Sequence, residues 1–327
     1  MIKENNFVTG YLDVNQYKFS GEWVVGETYN YDKVKIRSII KKINGFLFFP
    51  ESPLKCLQSA LKNKDNSKNI SIFKIASNEE DILFNRGKEK VSRRVKLLDQ
   101  LTVNDIIATQ IEYAEKSGQY QKCQRHDSSL AFYKNSKKIL ASGCFHELAI
   151  SGSENTVIFN KDIVGSLNCS ACGRHNTIVT NGEFSTVSTS GENTKVISNG
   201  EFSRLSSSGY LCDLIASAYG ASVVASGDRA FLNTNGKYSR LVASGDGSRC
   251  SATGEDNIIA AVGRFSHVNG AMGTYVCIAD YDNAGTCRGF VTGRIGENGL
   301  KPYTTYTVKN GRFVEVTEDE VVCAISV

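Results

Sequence analysis

From residue 173 onward the chain carries small, large and small side chains on one parity of positions, leaves the other parity variable, and restarts the pattern every nine residues. Glycine stands at 173, 182, 191, 200, 209, 227, 236, 245, 254 and 263, with Ala218 in the one vacancy. Counting glycine as position one, position six reads Ile178, Val187, Val196, Leu205, Leu214, Val223, Leu232, Leu241, Cys250, Ile259 and Val268. Position four is small or polar, from Asn176 to Ser266, and position eight is smaller still, from Thr180 to Gly270. In an extended strand positions four, six and eight share one side. A short strand with a single large residue on that side cannot bury it alone, so neighbouring repeats must stack. A helix is excluded by the period and by the content of Ser, Thr and Gly.

The pattern therefore predicts a mainly β protein, a two-sheet β-solenoid in which each nonapeptide is a half-turn and 18 residues make a coil. The same frame runs backward through Leu130, Ile139, Leu148 and Val157, with a three-residue insertion near Lys161 to Val164 before the phase returns at Cys169. The array covers about 125–271, some sixteen repeats, and eight coils at ~4.8 Å would span roughly 38 Å. Glycine and its polar successor are expected to make the corners.

Outside the array the periodicity changes, which gives three domains: 1–121, 122–271 and 272–327. Residues 1–121 read as an α/β domain. SGEWVVGETY, KINGFLFFP, NISIFKIAS and SRRVKLLDQL supply strands, Ser52 and Pro53 open a helix, and Thr102 with Asp105 caps another with Val103, Ile106, Ile107 and Ile111 inward. Residues 272–327 read as a β-meander cap, in which Lys309-Asn310-Gly311 signals a hairpin. A cap is expected because an open solenoid end exposes unpaired strand edges.

Composition narrows the function classes. The net charge of +4 divides into +8 for residues 1–140 (24 Lys and Arg, 16 acids) and −4 for 141–327 (14 and 18). That excess is too dilute to argue for nucleic acid, which stays open. No apolar stretch reaches the ~18 residues that a bilayer span needs, and the opening MIKENNFVTG lacks an export signal. A soluble, unexported protein without membrane contact is expected, and most of its ten cysteines should be free thiols. Cys169 and Cys172 form a lone CxxC inside the lattice, without a second pair at zinc spacing, and read as structural.

Catalytic chemistry finds no footing in the repeats. Calcium-binding nonapeptides need GGxGxD, whereas position two here carries Glu, Lys, Tyr and Arg as well as Asp. His126, His146, His175 and His267 are dispersed, so no catalytic, cofactor or metal residues are assigned. The surface positions are more suggestive. Outward position seven places Val179, Ile197 and Ile215 in one column and Val224 and Val242 in another, with Arg204 and Arg240 at position five. Apolar columns of this kind mark an interface or a docked domain, and these seven residues form the candidate interaction surface. Self-pairing of the columns would give a homo-oligomer.

The segments GFLFFPESPLKCL, SRRVKLLDQLTVNDII and LKPYTTYTVKNGRFVEV, together with the array, resemble uncharacterised phage and prophage proteins with an N-terminal α/β domain, Gly, Ser and Ala rich repeats and a short β tail. The resemblance covers most of the chain and carries no catalytic residues. It implies a phage-encoded, non-catalytic binding protein acting on a host protein, with a defence component among the candidates, in the host cytoplasm, and a virion accessory or surface protein as the alternative. GFLFFPESPLKCLQSA is also similar to the strand-helix element of ADP-ribosyltransferase-like folds, which implies a degenerate enzyme of that class as a further alternative.

Overall fold

In the computed structural model, which describes residues 7–13, 17–18, 24–30, 35–36, 47–50, 52–54, 56–57, 72–86, 89–124, 129–142, 147–159 and 167–316, the repeats coil as a solenoid. Each strand pairs in parallel with the one eighteen residues away, so Val187 lies opposite Leu205, Leu205 opposite Val223 and Val223 opposite Leu241. Alternate repeats feed alternate sheets. The first sheet runs from Gln121–Gln124 to His267–Gly270 and the second from Ser129–Phe132 to Tyr275–Tyr281. One coil is longer, because Leu148 pairs with Cys169 and Val157 with Ile178, both 21 residues apart. The expected three-residue insertion is therefore absorbed between strands without breaking register. The last parallel strand, Tyr275–Tyr281, lies past the point where the glycine phase ends, because Ile259 meets Val276 after 17 residues.

The core is the predicted one. From Ile178 to Val268 every position-six side chain is at most 1% exposed, and the inward neighbours are small enough for the two sheets to close over them. Position four is polar for a local reason: its side chain bonds back to the carbonyl of the glycine three residues earlier. Ser185 Oγ donates to Gly182 O at 2.7 Å, Ser203 Oγ to Gly200 O at 2.7 Å and Asn257 Nδ2 to Gly254 O at 2.7 Å. The position-eight hydroxyl completes the corner by accepting from the next glycine, as when Gly236 N–H donates to Thr234 Oγ1 at 3.1 Å. Buried polar groups are paired in this way at several turns, as the low dielectric of a thin core favours, but Ser248 Oγ and Ser266 Oγ at position four and Thr189 Oγ1 at position eight are buried without a hydrogen-bond partner.

Glycine and its successor stand at the corner as expected, and the left-handed backbone falls mostly on position three: Phe184, Phe202, Leu211 and Arg229 have φ of 54°, 54°, 57° and 55°, while Gly173 is itself left-handed at 103°. Glycine is needed for closeness. A Cβ on Gly200 would stand 1.8 Å from the carbonyl oxygen of Gly182 in the coil beneath, which no side chain tolerates.

Two hairpins close the C-terminal end. Cys287–Arg294 runs antiparallel to Tyr275–Tyr281 and extends the second sheet. Thr305–Lys309 runs antiparallel to His267–Gly270 and pairs with Arg312–Glu315, extending the first. Asn310 and Gly311 join these last two strands with φ of 52° and 72°, the twist that a two-residue hairpin requires. Ile295, Leu300 and Tyr306 join the solenoid core under this cap, and Phe313 packs against it.

The chain divides into two compact units, Met1–Tyr113 and Ala114–Val327. In the first, Phe7–Asp13, Ile72–Asn78, Arg94–Leu101 and Thr28–Asn30 form an antiparallel sheet in that order, and Leu47–Pro50, Glu89–Ser92 and Ile82–Arg86 form a second. The strand expected across SGEWVVGETY is confined to Thr28–Asn30 among the described residues, since residues 24–27 make a turn. The helix Val103–Lys116 opens with the predicted cap: Thr102 N–H donates to Asp105 Oδ2 at 2.8 Å and Asp105 N–H to Thr102 Oγ1 at 3.2 Å. Ile106, Ile107 and Ile111 are buried, while the Val103 side chain lies outside the described residues. The other predicted helix begins at Pro53 as expected, with Ser52 O accepting from Cys56 N–H at 3.2 Å, and Gln110 reaches its first turn. Its carboxamide oxygen accepts from Leu54 N–H at 3.0 Å and from Ser52 Oγ at 2.8 Å.

Candidate functional site

The outward side of the second sheet is the candidate. Its position-five residues are Thr186, Arg204, Ser222, Arg240 and Ile258, and its position-seven residues include Ser188, Ser206, Val224 and Val242. Parallel register stacks these side chains in straight columns. Arg204 and Arg240 stand two coils apart, ~10 Å at the usual strand spacing; both are exposed, and neither forms an ion pair among the described residues. Beside them Val224 and Val242 are 39% and 37% exposed. Toward the lower coils the valines give way to hydroxyls, and Ser188 Oγ bonds Ser206 Oγ at 2.9 Å. A shallow groove of about 520 Å³ runs there, lined among others by Ser170, Ser190, Ser208 and Val224. The face thus combines two uncompensated cations, an apolar strip and a hydroxyl-lined trough.

At the corner leading into this sheet stands a column of exposed aromatic rings. Phe184 and Phe202 stack with centroids 5.3 Å apart, Tyr219 meets Phe202 at 5.5 Å, and Tyr238 meets Tyr219 at 5.4 Å. Phe184, Phe202 and Tyr238 occupy position three, but Tyr219 occupies position two and Gly220 takes the third place. The exchange keeps the column continuous, because a Cβ at Gly220 would lie 2.8 Å from the Phe202 ring. Phe184 and Phe202 turn their faces to each other along the coil axis. The column therefore braces successive coils and helps offset their left-handed backbone. The sequence held the signal, aromatic residues spaced 17 to 19 positions apart, at repeat positions two and three and outside positions five and seven.

The other half of the expected surface is closed. Val179, Ile197 and Ile215 sit at position seven of the first sheet, yet they are 0%, 0% and 1% exposed. They stand outside the solenoid core cluster and are nevertheless covered, so they are not an open apolar column. Alternation tells which way a side chain points; it does not tell what lies over it. On the same sheet Lys195 Nζ and Asp213 Oδ2 form an ion pair at 2.8 Å between coils.

The other chemistry-bearing residues stay apart. Cys169 is buried at position six, where desolvation pushes its thiol up to about 12, while Cys172 is exposed at the corner. His175 lies at a corner with φ of 59°, and His267 is buried on the first sheet, where burial and the nearby Arg249 lower its pKa to about 4. His126 and His146 lie outside the described residues, as do Lys161 to Val164. Among the described residues no cluster of His, Cys, Asp and Glu could hold a metal ion, and no helix is long and apolar enough to cross a membrane. Compared with known protein families, with curated proteins and with solved structures, the chain matches none.

Proposed function

We propose that the chain is a non-catalytic binding protein in which the solenoid is a rigid platform and the outward face of the second sheet receives a protein partner. The observation that supports this reading is the exposed pairing of Arg204 and Arg240 with the Val224 and Val242 strip. Cations left without internal partners suit acidic side chains on a partner, and the apolar strip between them supplies area to bury. Coil-to-coil pairing fixes the spacing of these groups, so little ordering is required on binding. The likeness to phage and prophage proteins makes a host protein, a defence component among the candidates, the partner we favour, with the host cytoplasm as the place of action.

Affinity purification from infected host cells tests this, comparing the wild type with a variant carrying Arg204→Glu and Arg240→Glu. A host protein retained by the wild type and lost from the folded variant is the expected result. Retention of the same proteins by both would overturn the assignment of the face, and abundance of the chain in purified virions would favour a virion component.

A further inference from the structure

Among the described residues, the cap leaves one long strand edge open. Cys287–Arg294 is the last strand of the ten-stranded sheet, and its outward residues Arg288, Phe290 and Thr292 are exposed, Phe290 by 61%. The last strand of the other sheet, Arg312–Glu315, is half as long and ends in charge, with Glu315 held by Lys301 at 2.8 Å. Short charged edges resist pairing, whereas an eight-residue edge carrying Phe and Gly invites it.

The hydrogen-bond phase shows which backbone groups are available. Ile295 N–H donates to Thr274 O at 2.9 Å, which places that residue in a bonded pair across the hairpin. Antiparallel ladders alternate, so Gly293, Val291 and Gly289 also turn their amides and carbonyls toward Tyr275–Tyr281. The N–H and C=O of Phe290 and Thr292 consequently point away from the sheet, while Arg288 is the extra residue of a bulge, since Asp280 lies opposite Gly289 and Tyr281 opposite Cys287. Their side chains share the outward face, since Thr292 lies opposite Cys277, which continues the Val224, Val242 and Ala260 column. The opposite parity faces the core, where a Cβ on Gly293 would meet Leu300 at 2.6 Å.

From this geometry we infer that a second copy of the chain adds to this edge, antiparallel, with Phe290 opposite Phe290 of the second copy. A two-fold axis at Arg288 would set two arginines against each other, and one at Val291 would oppose Arg288 to Arg294. An axis at Phe290 pairs ring with ring and sets Arg288 against Thr292, while bringing the free amides and carbonyls of Phe290 and Thr292 of both copies to the seam. The basic charge at the seam is already reduced, because Arg294 Nη1 bonds Glu297 Oε1 at 2.9 Å and Arg288 lies 3.8 Å from Asp282. Two ten-stranded sheets then become one continuous sheet, and the apolar strips of both copies meet at the Phe290 pair. This assembly does not depend on the partner assigned to Arg204 and Arg240.

Sedimentation equilibrium and amide exchange test the inference together. The wild type should sediment with the mass of two chains at micromolar concentration. Thr292→Pro removes an amide that only the second copy uses, so this variant should be a folded monomer with the melting curve of the diluted wild type. In the unsubstituted protein, exchange of the Phe290 and Thr292 amides should slow by about tenfold or more as concentration rises through the dimer range. A monomeric wild type, a dimer that persists in folded Thr292→Pro, or concentration-independent exchange at these two amides would each overturn it. If Thr292→Pro fails to fold, the exchange measurement decides.

Discussion

Gly200 and Phe202 stand two residues apart and carry opposite burdens. Gly200 needs room, since its Cβ would lie 1.8 Å from Gly182 O, while Phe202 needs a left-handed backbone at φ 54°. Gly200→Ala should therefore destabilise the protein by about 3 kcal/mol, the upper end of overpacking costs, measured by denaturant unfolding. Asn193→Gly, at a left-handed corner of the same kind, should change stability by less than about 1 kcal/mol. Equal effects would mean that conformation and not crowding selects the glycine. At this scale the sequence was legible for the inward positions, because burial permits only aliphatic residues or cysteine at position six. It located the corner without explaining it, because a repeating glycine signals tight geometry without saying whether a torsion or a neighbouring carbonyl imposes it.

Strands and hairpins were the most readable elements, since their signals are local: alternation over a few residues, the Thr102 and Asp105 cap, the Asn310-Gly311 turn. What covers an element's outward side is a long-range property, and the alternation that turns Val179, Ile197 and Ile215 outward does not tell an interface from the buried column found there. The same covered sheet carries a measurable consequence of pH. His267 has a pKa of about 4 against 6.5 when free, so the unfolded chain takes up a proton that the folded chain refuses between those values. The stability due to the neutral imidazole is fully present above pH 6.5 and is lost as pH falls, by up to about 1.4 kcal/mol per unit, until it levels off near pH 4. Melting curves of the wild type and of His267→Gln from neutral to acid pH should diverge over this window, the variant having the shallower slope. Parallel slopes would place the histidine in contact with water.

Across the whole solenoid, alternate repeats belong to alternate sheets, so chain length is counted in pairs of repeats. Deleting residues 227–244, one full coil, brings Gly245 onto Gly209 in unbroken phase and should yield a folded protein with a lowered melting temperature. Deleting only residues 236–244 sends every later strand to the opposite sheet and presents each cap hairpin with the wrong partner. That variant should fail to give a cooperative melt, and a native-like transition from it would refute the alternation. The period announced this architecture because each coil contacts only its neighbours, whereas the candidate face and the open edge depend on which columns remain uncovered, a property that no single repeat encodes.

The 21-residue coil shows where the molecule tolerates novelty. Its extra residues leave the pairing above and below in step, so that corner is a natural splice point. A grafted recognition loop there would ride on an unaltered scaffold, and descendants of this chain could diversify what they display without relearning how to fold.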